Sequence, residues 1–344
     1  MNKEASQKIS RVSVVRVKDS VLSAVAEAME LAGVLECVKP GAEVCLKPNL
    51  GFDLFYPGAV TSAWVLEGVI VALQDRAKSI FIVESDQVLV DIEKAFHRAG
   101  MDRLVRKYGV EFVNMSKGKF VEVSVPNPRH LKTIRLPEIL LDKVLVTVPV
   151  MKTHDKTEIS GAIKNQWGCL DVLRHNYHLV VNEVLSDIHK VLKPAFAVCD
   201  ATIALEGDGP KTGRPRAVNR VLASSDIVAL DAVMARMMGF DPEKIVHLRM
   251  LTEDGVGSFR HYQLVGENIE GLNLGFARAR HNAVSMVELA FRRSWLRRLV
   301  FETPVFDLMC LGAGIYYLIW YHLGPGARIR DRILRETSYG EKQQ

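Results

Sequence analysis

A chain of 344 residues with 48% hydrophobic and 25% charged residues can bury a large core, as one large or two modest domains, and its composition is that of an ordinary globular protein. The net charge of +5 is modest, but between Arg278 and Arg298 there are six arginines and one acid, Glu288, so the positive charge is local. None of the five cysteines (Cys37, Cys45, Cys169, Cys199 and Cys310) stands in CxxC spacing, which leaves a zinc ribbon or an iron–sulfur cluster without sequence support.

Residues 1–10 read as a polar, frayed tail without the apolar stretch of a secretory signal, so the expectation is a cytoplasmic domain with reduced thiols. Arg11 to Val17 alternates like a strand, and Asp19-Ser20 can cap a helix running to Gly33. Glu43 to Lys47 is a second strand, ending in Lys47-Pro48-Asn49. A Gly-, Pro- and aromatic-rich loop follows, and Thr61-Ser62 caps an apolar helix to about Gln74. Ser79 to Glu84 is a strand, Asp91 to Tyr108 a helix and Val110 to Asn114 a strand. Lys119 to Val125 and Lys132 to Leu136 form a hairpin around Asn127-Pro128. Val144 to Val148 is a buried strand that Pro149 is expected to stop. Further on come a helix from Leu179 to Leu192, a strand from Ala195 to Asp200, a loop from Glu206 to Pro215 and a strand from Val218 to Ala223. Helices follow over Asp226 to Met238 and Asp241 to Glu253. Strands with continuous apolar runs alternating with helices predict an α/β fold, a mostly parallel sheet with helices on both faces, over residues 1–277.

Residues 278–344 form a basic, apolar, helical tail. Ala283 to Phe301 reads as a helix, broken by Pro304. Val305 to Gly324 is a twenty-residue apolar run, about 30 Å as a helix. With Tyr316, Tyr317, Trp320 and Tyr321 resembling an interfacial belt, it predicts membrane association through residues 283–332. The run is either one transmembrane span or a helix lying in the interface, attracted to anionic lipid.

In an open α/β sheet, ligands collect beyond the carboxyl ends of the strands. Lys152, Thr153 and His154, then Ser160-Gly161, Lys164-Asn165 and Trp167-Gly168, fall just past the Val144 strand. Strand-end lysines bind anions as point charges, or form covalent links once deprotonated. His154 is a metal ligand or a proton carrier. Lys47 and Asn49 face the same edge if the sheet is parallel, with Thr61 close behind. Glu84, Asp86, Asp200, Glu206 and Asp208 either hold a divalent cation or cap the helices that follow. His175 and His178 share a helical face and could join His154 on a metal, or they mark a solvated helix start. There is no Walker pattern, GxGxxG, GxSxG or HExxH, and the basic cluster lies beside an apolar run rather than among stacking aromatics, so nucleic acid is not an expected partner.

Taken together, these motifs resemble the family called domain of unknown function 362. The matching pieces are Lys47-Pro48-Asn49, the helix start at Thr61, Lys152-Thr153-His154, Ser160 to Asn165 with Gly168, Glu206 to Pro210, and Ser225-Asp226 with Asp231 and Gly239. Many members carry a ferredoxin-like cluster module; this chain lacks the cysteines for one. A weaker likeness links the order Lys-x-His, Ser-Gly and a lysine ten residues after the histidine to the N-terminal domain of the nickel-pincer lactate racemase family, although Ala162-Ile163 stand where that family has Gly-Gly. That likeness implies His154 as acid–base, Lys164 as a cofactor- or substrate-linked amine, and His178 as a metal-ligand analogue; Asp200, from the acidic set above, is the other metal-ligand candidate. The likeness also implies a racemase-, isomerase- or oxidoreductase-like activity. The expectation is an enzyme that takes an anionic small molecule or cofactor at Lys47, Asn49, Thr61, Lys152, Ser160, Lys164, Asn165, Glu206 and Asp208, with a divalent metal or lysine-linked cofactor. A non-catalytic, membrane-associated ligand-binding protein is the alternative.

Overall fold

Apolar runs too short for helices set the sheet. In the computed structural model, which describes residues 9–280 and 283–340, twelve strands form. They are β1 (Ser10–Arg16), β2 (Glu43–Pro48), β3 (Ser79–Glu84), β4 (Glu111–Asn114), β5 (Phe120–Ser124), β6 (Thr133–Pro137), β7 (Val144–Val148), β8 (Val150–His154), β9 (Glu158–Ser160), β10 (Phe196–Glu206), β11 (Arg214–Ser224) and β12 (Tyr262–Gly266). The main row runs β12-β1-β11-β10-β7-β2-β3-β4, with β8 and β9 attached beside β10. Only β11 runs against its neighbours in that row; the other pairs are parallel. The mostly parallel sheet is therefore as the sequence predicts, and β5–β6 is the expected separate hairpin.

Both faces are covered, as continuous apolar strands require. Along β2, Val44 and Leu46 enter one buried cluster and Cys45 the opposite one. Helices α1 (Val21–Leu31) and α2 (Ala63–Leu73) cover the first face. Behind the short α3 (Ala162–Asn165), α4 (Val181–Val191) and α5 (Ile227–Met238) cover the second. Each fully buried Leu, Ile or Val contributes about 1.5–3 kcal/mol, so these two layers hold the fold.

Several boundaries differ from expectation. Pro149 does not end the pairing: it lacks only its own N–H, and its carbonyl accepts from the Asp200 N–H at 2.8 Å. The chain resumes as β8, which puts Lys152, Thr153 and His154 on a buried strand rather than in a loop. β10 and β11 extend to eleven residues each, shrinking the expected Glu206–Pro215 loop. The helix expected over Asp91–Tyr108 divides into Ile92–Arg98 and Asp102–Tyr108, around the left-handed Gly100. β12 was not foreseen. Residues 1–8 of the expected frayed tail lie outside the described residues.

The tail folds back as α6 (Ala283–Arg293), α7 (Arg297–Phe301), α8 (Val305–His322) and α9 (Gly326–Glu336). Among the described residues no helix is long and apolar enough to cross a membrane, which corrects the expected transmembrane span. α8 stops at eighteen residues and carries Asp307 in its first turn and His322 in its last. The predicted aromatic belt partly turns inward instead. Tyr317 meets Phe52 edge-on with ring centres 5.7 Å apart, Trp320 meets Tyr56 at 5.2 Å, and the Tyr321 hydroxyl donates to the Phe55 carbonyl at 2.8 Å. Tyr339 stacks on Trp64 at 5.3 Å.

Candidate active site

β2, β3 and β7 run parallel, so Lys47-Pro48, Glu84 and Val148 arrive at one edge. Two struts fix that edge. The Thr61 hydroxyl donates to the Val148 carbonyl and accepts from the Asn49 N–H, both at 2.7 Å. The Asn165 amide donates to the Lys47 carbonyl at 3.0 Å and to the Thr147 hydroxyl at 2.8 Å, and its oxygen accepts from Asn49 at 3.1 Å. Thr61, which was expected to bind ligand, is thus a fully buried connector.

Beyond this edge lies a cavity of about 210 Å³. Of the residues singled out in the sequence, Lys47, Asn49, Glu84, Lys152, His154, Ser160, Lys164, Asn165, Trp167, Gly168, His175 and His178 line it. Glu206, Asp208 and Asp200 do not. Glu206 is held by Arg214 and Arg216, Asp208 is exposed, and Asp200 is sealed in the core, accepting from the Ser62 hydroxyl at 2.6 Å and from the Thr202 hydroxyl at 2.6 Å. Ser62, the N-cap of α2, thus gives its hydroxyl to Asp200 rather than to its own helix. Asp200 and His178 are therefore not brought together as metal ligands. Among the described residues no group of three or more His, Cys, Asp or Glu side chains is gathered to hold a metal ion. Glu84 is likewise committed, to Lys47 at 2.7 Å in a buried ion pair.

The position of Lys164 comes from α3. Asp231, reaching over from α5, accepts from the Ala162 N–H at 2.7 Å and the Ile163 N–H at 3.0 Å. Gly161 makes room for it, since a Cβ there would stand 2.2 Å from Asp231 Oδ1. The Lys164 ammonium position lies 4.7 Å from the centre of the Trp167 ring. Burial, and then the charges of Lys156, Arg174 and Lys152, hold the Lys164 pKa well below the usual lysine value. Lys152 donates to Asn49 Oδ1 and the Ala59 carbonyl, each at 2.7 Å, and burial followed by Lys211 lowers its pKa to about 7. Burial also lowers Lys211 to about 8. His154 is pushed well down by burial and then by Lys164. Its Nδ1 accepts from the Lys156 N–H at 3.0 Å, so the neutral ring carries its hydrogen on Nε2.

Four contributors escaped the sequence reading: Lys156, Arg174, Lys211 and Glu288. Arg174 is 1% exposed, its guanidinium held by the Leu170 carbonyl at 2.9 Å, Ser85 Oγ at 3.2 Å and the Asp86 carbonyl at 2.7 Å. Glu288, on α6, meets His178 Nδ1 at 2.6 Å and Lys156 Nζ at 3.4 Å. Burial alone would raise its pKa, but the His178 contact and Lys156 hold it well below the carboxylate range. Its signal in the sequence was its isolation, as the one acid among six arginines. Among the described residues no carboxylate lies within ion-pair distance of Lys152, Lys164, Arg174 or Lys211. The cavity wall thus holds four basic groups without a carboxylate partner.

The chain is similar to several known proteins. A thylakoid-associated protein of Synechocystis sp. is 27% identical over 225 residues, 62% of this chain and 68% of that protein. Two solved structures resemble the chain more loosely. A protein from Thermotoga maritima does so at 12% identity and a TM-score of 0.39, over 68% of this chain. The lactate racemase apoprotein from Thermoanaerobacterium thermosaccharolyticum does so at 13% and 0.38, over 69%. The match spans 58% of each of those two chains, and at these scores no reaction is carried across. The profile of the domain of unknown function DUF362 matches residues 44–236, more than half of the sequence, from β2 through most of α5 and including every cavity residue from Lys47 to Lys211. The chain belongs to the DUF362 family.

Proposed function

We propose that this protein is an enzyme that binds a small organic anion in the cavity and acts on it through the amine of Lys164. The carrying observation is the set of four buried or half-buried cations, Lys152, Lys164, Arg174 and Lys211, without carboxylate partners. An anion relieves their mutual repulsion and replaces the water they lost on burial. Arg174 and Lys211 hold the anion. His154 contributes its Nε2–H as a hydrogen-bond donor, because its Nδ1 is committed to the backbone. Lys164, whose pKa burial and then its cationic neighbours hold well below the usual lysine value, is the group that, once deprotonated, takes up a proton or attacks a carbonyl carbon. Asn49 and Lys152 brace the site from the strand side.

The protein works at a membrane surface in this reading. The outer side of α8 leaves Leu308, Leu311, Ile315, Leu318 and Ile319 exposed, and Arg293, Arg297, Arg298, Arg328 and Arg332 are exposed on the helices around it. An apolar face with a cationic surround suits the interface of an anionic bilayer. The name of the thylakoid-associated relative is in keeping with that placement.

Cyanate tests the chemical claim, since it carbamylates amines only in their neutral form. At pH 7, peptide mapping should show Lys164 modified about tenfold faster than the exposed Lys39 and Lys244, with inorganic phosphate slowing the reaction at the cavity lysines and not at Lys39 or Lys244. Modification of Lys164 at the rate of the exposed lysines, indifferent to phosphate, would sink the proposal.

A further inference from the structure

The cavity has two unlike halves. The inner half, at the sheet edge, carries the cations already described. The outer half is built by the tail: Phe301 on α7, then Phe306, Met309, Ala313 and Tyr317 on α8. The α8 residues recur at intervals of three and four, so they form one stripe of the helix. The opposite stripe, Leu308, Leu311, Ile315 and Leu318, faces outward and is exposed. A single helix therefore separates the cavity from the apolar surface outside, and it is apolar on both sides.

We infer that the ligand is an amphiphile, with an anionic headgroup among Lys164, Arg174 and Lys211 and an apolar chain along the inner stripe of α8. This rests on the anion-binding reading above and goes beyond it, because a purely polar anion makes no use of the second half. A small polar metabolite would leave Phe306, Met309 and Ala313 against water at the mouth of its own site. A chain of methylenes buries them, and each buried methylene stabilises the complex. The position of Lys211 fits the junction of the two halves. Its ammonium lies 4.9 Å from the centre of the Tyr317 ring and 5.4 Å from that of Phe52, a cation resting where apolar wall meets charged floor. Ligands of this class come from a bilayer or, if short-chained, from water.

The test is a homologous series. Binding of methyl, butyl and hexyl phosphate to the full chain is followed by titration calorimetry, with protection of Lys164 from cyanate as a second readout. Affinity should rise about fourfold per added methylene until the apolar wall is filled. Ala313→Phe, which occupies the wall, and Met309→Ser, which makes it polar, should both flatten that rise and leave methyl phosphate binding unchanged. If methyl phosphate binds and the longer chains bind no better, the amphiphile is overturned while the anion site stands. If no member binds, both readings fall. A chain-length dependence that survives in both variants places the chain elsewhere and also overturns the inference. Dodecyl phosphate dissolved in phosphatidylcholine vesicles separates the two sources. Protection of Lys164 from the vesicles upholds an amphiphile drawn from the bilayer, and protection by hexyl phosphate alone upholds one drawn from water.

Discussion

At the scale of single residues, the geometry around Lys164 depends on Gly161. The two N–H groups that begin α3 are fixed by Asp231, and that carboxylate sits where a side chain at 161 would go. Gly161→Ala should therefore cost about 1–3 kcal/mol, as expected for overpacking a rigid contact, and should remove the cyanate selectivity of Lys164. Chemical denaturation together with peptide mapping checks both; an unchanged midpoint with selectivity intact would show that Asp231 is not the anchor. Lys152 gives a prediction in pH. Its folded pKa of about 7 lies below the ordinary 10.5, so between those values the unfolded chain takes up the proton that the folded chain refuses. The stability attached to this residue consequently rises as pH climbs from 7 to about 10, and below pH 7 the penalty is constant. Thermal melts of the wild type and Lys152→Met across that range should show the difference shifting toward the wild type by a few degrees. A flat difference would mean that Lys152 keeps its ordinary pKa.

At the scale of elements, α8 decides how the protein meets its surroundings. Its length and hydropathy resemble a span, yet Tyr317 and Tyr321 are buried against the α/β domain, leaving only one side to face outward. A helix held that way lies along a surface rather than through it. The protein should co-sediment with vesicles containing phosphatidylglycerol, and salt should release it, because each arginine near the surface contributes about 1 kcal/mol in low salt. Leu311→Asp combined with Ile315→Asp should weaken that binding by about tenfold or more, given the apolar area removed from the lipid. Equal binding to neutral and anionic vesicles, or none to either, would count against the arginines as the attracting groups.

At the scale of the whole molecule, the sequence shows the floor of the site far better than its roof. The sheet and its carboxyl edge were legible because β2, β3 and β7 are unbroken apolar runs, each followed by a polar turn. Lys47, at the end of β2, and Asn49, Lys152, His154, Lys164 and Asn165, beyond the ends of β2 and β7, all reach the cavity. Position in sequence could not separate Asp200 or Glu206 from them, because their fate was decided by Ser62, Thr202, Arg214 and Arg216, partners that only the fold supplies. The continuation through Pro149 was hidden for the same reason: the bond from Asp200 N–H that sustains it comes from a strand fifty residues away. The contact of Glu288 with His178 spans 110 residues, beyond any local pattern.

That distance along the chain has a consequence for when the site becomes reactive. The lysines belong to an α/β domain that leaves the ribosome before the helices that cover it, and domains fold as units while synthesis continues. In the proposed reading, the floor lacks the part of its wall that α6 to α8 supply until those helices settle, and Lys164 is then more open to water. Docking of the tail is then, in the same reading, a maturation step, completing the enclosure that takes Lys164 away from water.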